Sequence, residues 1–201
     1  LSLHDALPIC CKWQCLDYAE QLKWKQQQVE DCLARIAKVE HPAVMPIVGC
    51  EETYGYRNKL EFGFSCRRWL TVDEIGRTDD VITERNALGF HIAGAFDKIL
   101  DIDECLLMDD VQNRIRNEVR RYALNRGLVF YDIKNNSGLL RSMMVRNSNS
   151  GEVMVLMQFR MESDQERQQA MNLMQSLADT FPEITSLLYV DNHKANDTFG
   201  D

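Results

Sequence analysis

The spacing of apolar residues predicts three long helices. Residues 16–39 place the apolar stripe of the first helix on one face, at Leu22, Val29, Leu33 and Ile36. Similar stripes over residues 109–126 and 163–181 predict the second and third helices. Ser163 and Glu166 form a capping box at the start of the third helix, and Gly127 follows the second.

Alternation of apolar and polar residues predicts a strand over residues 56–65. Its buried face would carry the apolar residues Leu60, Phe62 and Phe64. Its other face would carry the charged residues Arg57, Lys59 and Glu61. Further strand candidates cover residues 87–92, 98–102, 128–132, 139–146, 152–160 and 185–191. This order of elements predicts an α+β fold, in which helices pack on a largely antiparallel or mixed sheet.

Composition narrows the class of protein. Of the 201 residues, 45% are hydrophobic and 27% are charged, which is typical of a globular chain. No apolar run approaches the roughly 18 residues that a membrane span requires, so no membrane partner is expected. The net charge of −8 argues against a protein that binds nucleic acid through overall basicity. We expect no DNA binding, and contact with RNA would need a local basic patch.

Seven cysteines are scattered without a regular pattern, which argues against a disulfide framework. Reduced thiols or metal ligands in a cytoplasmic protein fit this distribution better. Cys11 and Cys15 alone have a poor spacing for zinc. Residues 1–9 lack periodicity and resemble a translated sequencing adapter, so we expect them to be an artefact. By the same hypothesis, Cys10 is a junction residue standing where glycine belongs.

Basic residues offer the best candidates for binding. Arg57 and Lys59 would lie about 6.8 Å apart on one strand face, a spacing suited to successive phosphates of one RNA strand. Arg67 and Arg68 precede Trp69 and so combine charge with a stacking surface. The arginines of the second helix are expected to be solvated. The chain contains no glycine-rich phosphate loop or nucleophile elbow.

Four strings of residues, taken together and in order, resemble one known family. The first two strings are Cys11-Lys-Trp-Gln14 and Tyr54-Gly-Tyr-Arg-Asn-Lys-Leu-Glu-Phe62. The third combines Leu88-Gly-Phe-His91 with residues 96–105, and the fourth is Asn192-His-Lys-Ala-Asn-Asp-Thr198. Over residues 10–201 the chain thereby resembles the RNA (uracil-C5)-methyltransferases, and especially the branch that acts on ribosomal RNA.

The resemblance implies a plan of an RNA-binding barrel, an iron–sulfur motif, a central α+β domain and a Rossmann-type methyltransferase domain. By this plan, residues 10–40 hold the end of the iron–sulfur motif and a helix, and residues 41–201 form the central domain. The methyltransferase domain is then expected to be absent from this chain. Cys11 would be the third ligand of a [4Fe–4S] cluster and Cys105 the fourth, which leaves an incomplete ligand set.

The family reaction implies which residues are not expected here. A cysteine thiolate adds to C6 of uracil, C5 takes the methyl group of S-adenosylmethionine, and a carboxylate removes the C5 proton. By resemblance these groups lie beyond Asp201, so no catalytic or cofactor-binding residue is expected and this chain alone should be inactive. The whole protein would be a monomer that methylates a uridine of 23S ribosomal RNA, which Arg57 and Lys59 would help to hold.

One alternative belongs to another class of function. A non-catalytic α+β scaffold or protein-interaction domain without RNA contact would also be acidic and would lack an active site. It gives no reason for the four strings to occur in family order.

Overall fold

The computed structural model describes residues 13–75 and 83–196, and they group into two compact units, residues 13–53 and 54–196. The predictions for residues 1–9, Cys10, Cys11 and the last two residues of the fourth string lie outside the described residues. No helix in the described part of the chain is long and apolar enough to cross a membrane.

The first unit contains the predicted N-terminal helix. Helix α1 spans Tyr18–Asp31 and continues as a π-helical turn over Cys32–Ala37. It ends at Lys38, whose φ of 51° lies in the left-handed region that terminates helices. The apolar stripe is not buried here: Val29 and Ile36 remain 49% and 78% exposed. The apolar spacing therefore predicted the helix, but none of its described residues is fully buried.

The second unit is built on a six-stranded mixed sheet. The strands are β1 (Lys59–Ser65), β2 (Ala87–Ile92), β3 (Ala95–Asp101), β4 (Leu140–Asn147), β5 (Val153–Phe159) and β6 (Ile184–Asp191). Their order is β3-β2-β1-β4-β5-β6, and every neighbouring pair is antiparallel except the parallel pair β5–β6. The predicted α+β fold with a largely antiparallel, mixed sheet is confirmed.

The strand predicted over residues 128–132 is wrong. This segment makes only isolated β-bridges. The N–H of Asp132 donates to the carbonyl of Ser137 and the N–H of Tyr131 donates to the carbonyl of Leu140, so the chain turns back within a few residues and no continuous strand forms.

Among residues 54–75 and 83–196, three helices accompany the sheet: α2 (Val72–Ile75), α3 (Asp110–Asn125) and α4 (Asp164–Thr180). Helix α3 contacts β2 and β4, α4 contacts β6, and the two long helices contact each other. Asp109 and Ser163 accept N–H groups of the first turns of α3 and α4, as N-caps do. The buried face of the sheet carries the expected apolar residues of β1, Leu60, Phe62 and Phe64.

The prediction that the arginines of this helix are solvated is wrong for Arg116 of α3. Arg116 is fully buried and donates 2.6 Å to the carbonyl of Leu88 and also to the carbonyl of Ile102. Burial lowers its pKa to about 10. In the same region, a Cβ at Gly89 would lie 1.9 Å from the carbonyl oxygen of Leu100, so only glycine fits. The third string therefore contains residues that fasten β2 to β3 and α3.

Candidate nucleic-acid interface and cysteine loop

The second family-like string meets the loop that follows the third string at one end of the sheet. The N–H of Gly55 donates 2.9 Å to the carbonyl of Leu106, and the N–H of Arg57 donates 2.8 Å to the carbonyl of Leu107. Four backbone groups thereby join the second string to the loop that carries Cys105. We call this region the motif corner, and it comprises residues 54–59, 105–113 and 146–147.

Cys105 lies in a loop that one side chain fixes from both sides. Its N–H donates 2.9 Å to Oδ1 of Asn113, and Nδ2 of Asn113 donates 3.1 Å to its carbonyl. Because Asn113 lies near the start of α3, the helix holds the cysteine backbone directly. The cysteine residue is buried, with 6% exposed. Sequence analysis missed Asn113, since nothing in its spacing distinguishes it from a surface asparagine.

Polar side chains also tie the start of α3 to the end of β4. Gln112 is fully buried, and its Nε2 donates 2.9 Å to Oδ1 of Asn147. Asn147 in turn donates its side-chain N–H to the N-cap carboxylate of Asp109. The backbone N–H of Asn147 donates 3.0 Å to the carbonyl of Asn58, which closes the motif corner around the three segments.

The two predicted RNA contacts both lie in the motif corner, but not on one strand. Lys59 is the first residue of β1, and its Nζ lies 2.9 Å from Oε1 of Glu61. Arg57 precedes the strand, so the prediction that it shares a strand face with Lys59 is wrong. The physical reason is that its N–H is used by Leu107 in the cysteine loop rather than by the sheet.

Arg67 and Arg68, the other basic candidates, are engaged within the protein. Arg67 lies 3.2 Å from Asp132, and Arg68 lies 2.7 Å from Glu74. The hydrogen bond from Arg67 holds the pKa of the Asp132 carboxyl below its usual value. Trp69 packs against the buried residues Ile92 and Leu100, and the Lys98 ammonium lies over its ring at 5.5 Å. This triplet is therefore a structural element rather than an open stacking surface.

The fourth string wraps around a buried cation that sequence analysis missed. The guanidinium of Arg141 donates to three backbone carbonyls, those of Asn192, Lys194 and Asn196. It also lies 4.5 Å from the ring centroid of Tyr131. This string thus forms a loop fixed by β4, at the opposite end of that strand from the motif corner.

The described residues do not complete a metal site. Within residues 13–75 and 83–196, no three histidine, cysteine or acidic side chains are grouped so as to hold a metal ion. Cys105 is described, but Cys11, the other predicted ligand, is outside the described residues. The donor set found here thus does not fit a four-thiolate cluster, and we derive no chemical step from one.

Sequence comparison places the chain among known proteins. It is 50% identical to an uncharacterized RNA methyltransferase of Bacteroides thetaiotaomicron, over 100% of this chain and 46% of that protein. It is 47% identical to a second uncharacterized RNA methyltransferase, from Porphyromonas gingivalis, over 95% of this chain and 41% of that protein. The chain belongs to this RNA methyltransferase family. The family predicted from the four strings is thereby confirmed. No family model matches the chain.

The fold is also that of a solved RNA methyltransferase. The crystal structure of a Pyrococcus abyssi tRNA (uracil-54, C5)-methyltransferase, in complex with S-adenosyl-L-homocysteine, superposes with a TM-score of 0.62 at 20% identity. The match covers 98% of this chain and 40% of that one. At this identity the similarity concerns the fold. This chain thus spans less than half the length of the two curated RNA methyltransferases and of the solved one.

Proposed function

We propose that this chain supplies the RNA-contacting central part of an S-adenosylmethionine-dependent RNA (uracil-C5)-methyltransferase that modifies 23S ribosomal RNA. The observation that carries the proposal is the motif corner, where the hydrogen bonds of Gly55 and Arg57 join the second string to the two residues that follow Cys105, the last residue of the third string. Membership in an RNA methyltransferase family supports the reaction class, and the S-adenosyl-L-homocysteine complex of the structural neighbour agrees with the methyl donor.

RNA would be held through local charge rather than overall charge. The protein carries 23 basic against 31 acidic side chains, so long-range attraction to RNA is unfavourable. Arg57 and Lys59 would instead contact backbone phosphates directly. Each such contact releases a condensed counterion, which makes the binding constant depend on salt.

The first test is the salt dependence of binding to a fragment of 23S ribosomal RNA. Wild-type chain should bind at low salt, and Arg57→Ala with Lys59→Ala should make the log–log salt slope shallower by about 1.5. Arg121→Ala is the matched control, because Arg121 is exposed on α3 and already paired with Glu118. No binding by the wild type would favour the scaffold alternative, and an unchanged slope in the double variant would show that Arg57 and Lys59 are structural charges rather than RNA contacts. A transfer RNA of similar length tests the preference for ribosomal RNA.

The cluster and the reaction form a second part of the proposal. Cys11 and Cys105 would supply two of the four thiolates of a [4Fe–4S] cluster, and methyl transfer would depend on residues outside this chain. After anaerobic reconstitution, iron and sulfide analysis should therefore find well below one cluster per chain. A full cluster in this chain would contradict that ligand assignment.

Catalysis by the chain alone gives an independent result. With unmodified ribosomal RNA and labelled S-adenosylmethionine, the purified chain should incorporate no methyl group. Incorporation would contradict the proposal that catalytic residues lie elsewhere.

We also propose that the protein is a cytoplasmic monomer. Sedimentation of the chain tests the oligomeric state.

A further inference from the structure

Arg146 is a basic residue of the motif corner that no sequence pattern singled out. It lies near the end of β4, directly opposite Lys59 of β1 in the antiparallel register. Continuing across the sheet, the next positions in this row are Met154 of β5 and Ser186 of β6. The row therefore contains two adjacent cations and no acidic residue.

This pairing is unfavourable for folding. Like charges directly opposite each other on antiparallel strands destabilise the pair. Lys59 is partly compensated by Glu61. Arg146 is exposed, and its guanidinium has no hydrogen-bond or ion-pair partner among the described residues. In a protein with more acidic than basic side chains, an uncompensated arginine beside a lysine has no explanation in the stability of the sheet.

The carboxylate of Glu152, which lies six residues after Arg146 in sequence, makes its hydrogen bonds to other residues. Glu152, just beyond the β4–β5 turn, accepts hydrogen bonds from the hydroxyls of Ser148 and Ser150. These hydrogen bonds hold the pKa of its carboxyl below the usual value, so it is an anion at neutral pH. Its charge is thus satisfied inside the turn, which leaves Arg146 open to an external anion.

We infer that Arg146 is a third phosphate contact: it pairs with Lys59 in a cationic cross-strand row, and with Arg57, which precedes β1, these cations of the motif corner bind the RNA backbone. The inference rests on the proposed function and adds a specific residue to it. Arginine suits this role because its planar guanidinium can donate two parallel hydrogen bonds to one phosphate. Cross-strand neighbours have Cβ atoms about 5 Å apart, so Arg146 and Lys59 can reach the same or successive phosphates.

The test measures both RNA binding and stability for Arg146→Gln. The probe is the same 23S ribosomal RNA fragment, with a DNA strand of equal length as comparison. We expect the salt slope to become shallower by about 0.7 to 0.9 and the affinity at low salt to fall about three- to tenfold. Arg146→Lys should keep most of the slope, since it keeps the charge. Arg121→Gln is the matched control and should behave as wild type in both measurements.

Thermal unfolding separates a binding role from a structural one. Because Arg146 opposes a like charge, Arg146→Gln should unfold at the same temperature as wild type or slightly higher. If wild type binds RNA and Arg146→Gln keeps its slope, the inference is wrong while the proposed function stands. A lower unfolding temperature for this variant than for Arg121→Gln would also overturn it. If wild type fails to bind RNA, the proposed function fails, and the inference with it.

Discussion

Strand β4 carries two arginines with opposite surroundings. Arg141, near its start, is 2% exposed and donates to three backbone carbonyls while lying over the Tyr131 ring. Arg146, near its end, is exposed and opposes Lys59. The same residue type thus serves as an internal fastening at one end and as an available cation at the other. The two arginines differ in whether the protein supplies hydrogen-bond acceptors for the guanidinium, and no sequence pattern shows this difference.

The largest expected effect concerns the buried end. Arg141→Met removes a guanidinium that satisfies three carbonyls, so those carbonyls lose their donors inside the protein. We expect the free energy of unfolding to fall by about 3 kcal/mol, measured by urea denaturation. Arg146→Met should change it by less than about 0.5 kcal/mol. Equal losses in the two variants would contradict the contrast between the ends of β4.

A neutral amide fixes the cysteine loop, so its loss should cost less than the loss of Arg141. Asn113→Ala leaves the N–H of Cys105 without its partner and removes one of the donors to its carbonyl, which keeps the N–H of Met108; the expected loss is about 1 to 2 kcal/mol. Alkylation of Cys105 in the native protein should become faster, as followed by mass spectrometry of its peptide. Asn172→Ala is the control, because Asn172 is exposed on α4. Unchanged alkylation of Cys105 would show that Asn113 does not hold this loop.

A substitution at Glu61 should strengthen RNA binding at the Arg146 end of β4. Glu61→Gln removes the carboxylate 2.9 Å from Lys59 and frees that ammonium for phosphate. Exposed ion pairs are worth about 0.2 to 1 kcal/mol, so RNA binding at low salt should become about two- to fivefold tighter. The gain should shrink at high salt, where exposed charges are screened. Weaker binding by Glu61→Gln would contradict a phosphate contact at Lys59.

The smallest expected effect lies at a surface pair near the Arg141 end. Arg67 lowers the pKa of Asp132, so the charged carboxylate stabilises the fold above its unfolded pKa of about 3.9. This contribution is lost as pH falls from that value through the folded pKa. Wild type should therefore lose stability more steeply than Asp132→Asn over this acidic window, as measured by urea unfolding at several pH values. Parallel pH profiles for the two proteins would contradict the Arg67–Asp132 coupling.

Local patterns in the sequence were sufficient to predict most helices and strands of the fold. The capping residue Ser163 begins its helix as predicted, and the alternation at Leu60, Phe62 and Phe64 identifies the buried face of β1. Residues whose roles depend on distant partners could not be found this way. Arg116 was predicted to be solvated, because the sequence does not show that the carbonyls of Leu88 and Ile102 accept its hydrogen bonds.

The candidate site divides in the same way. The strings containing Arg57 and Cys105 could be recognised separately, because each is a local pattern. Their meeting depends on hydrogen bonds between segments some fifty residues apart, which no local pattern encodes. Arg146 was missed because its significance comes from the register that places it opposite Lys59. Predicting it would require the strand pairing itself.

Hydrogen exchange with and without RNA tests the central claim most directly, since it reads both ends of β4 in one experiment. The 23S ribosomal RNA fragment should slow exchange in residues 54–59, 105–108 and 146–148. Exchange in residues 192–196, around Arg141, should stay unchanged. Protection confined to the Arg141 end, or absent from both ends while the RNA is bound, would contradict the motif corner as the RNA-contacting surface.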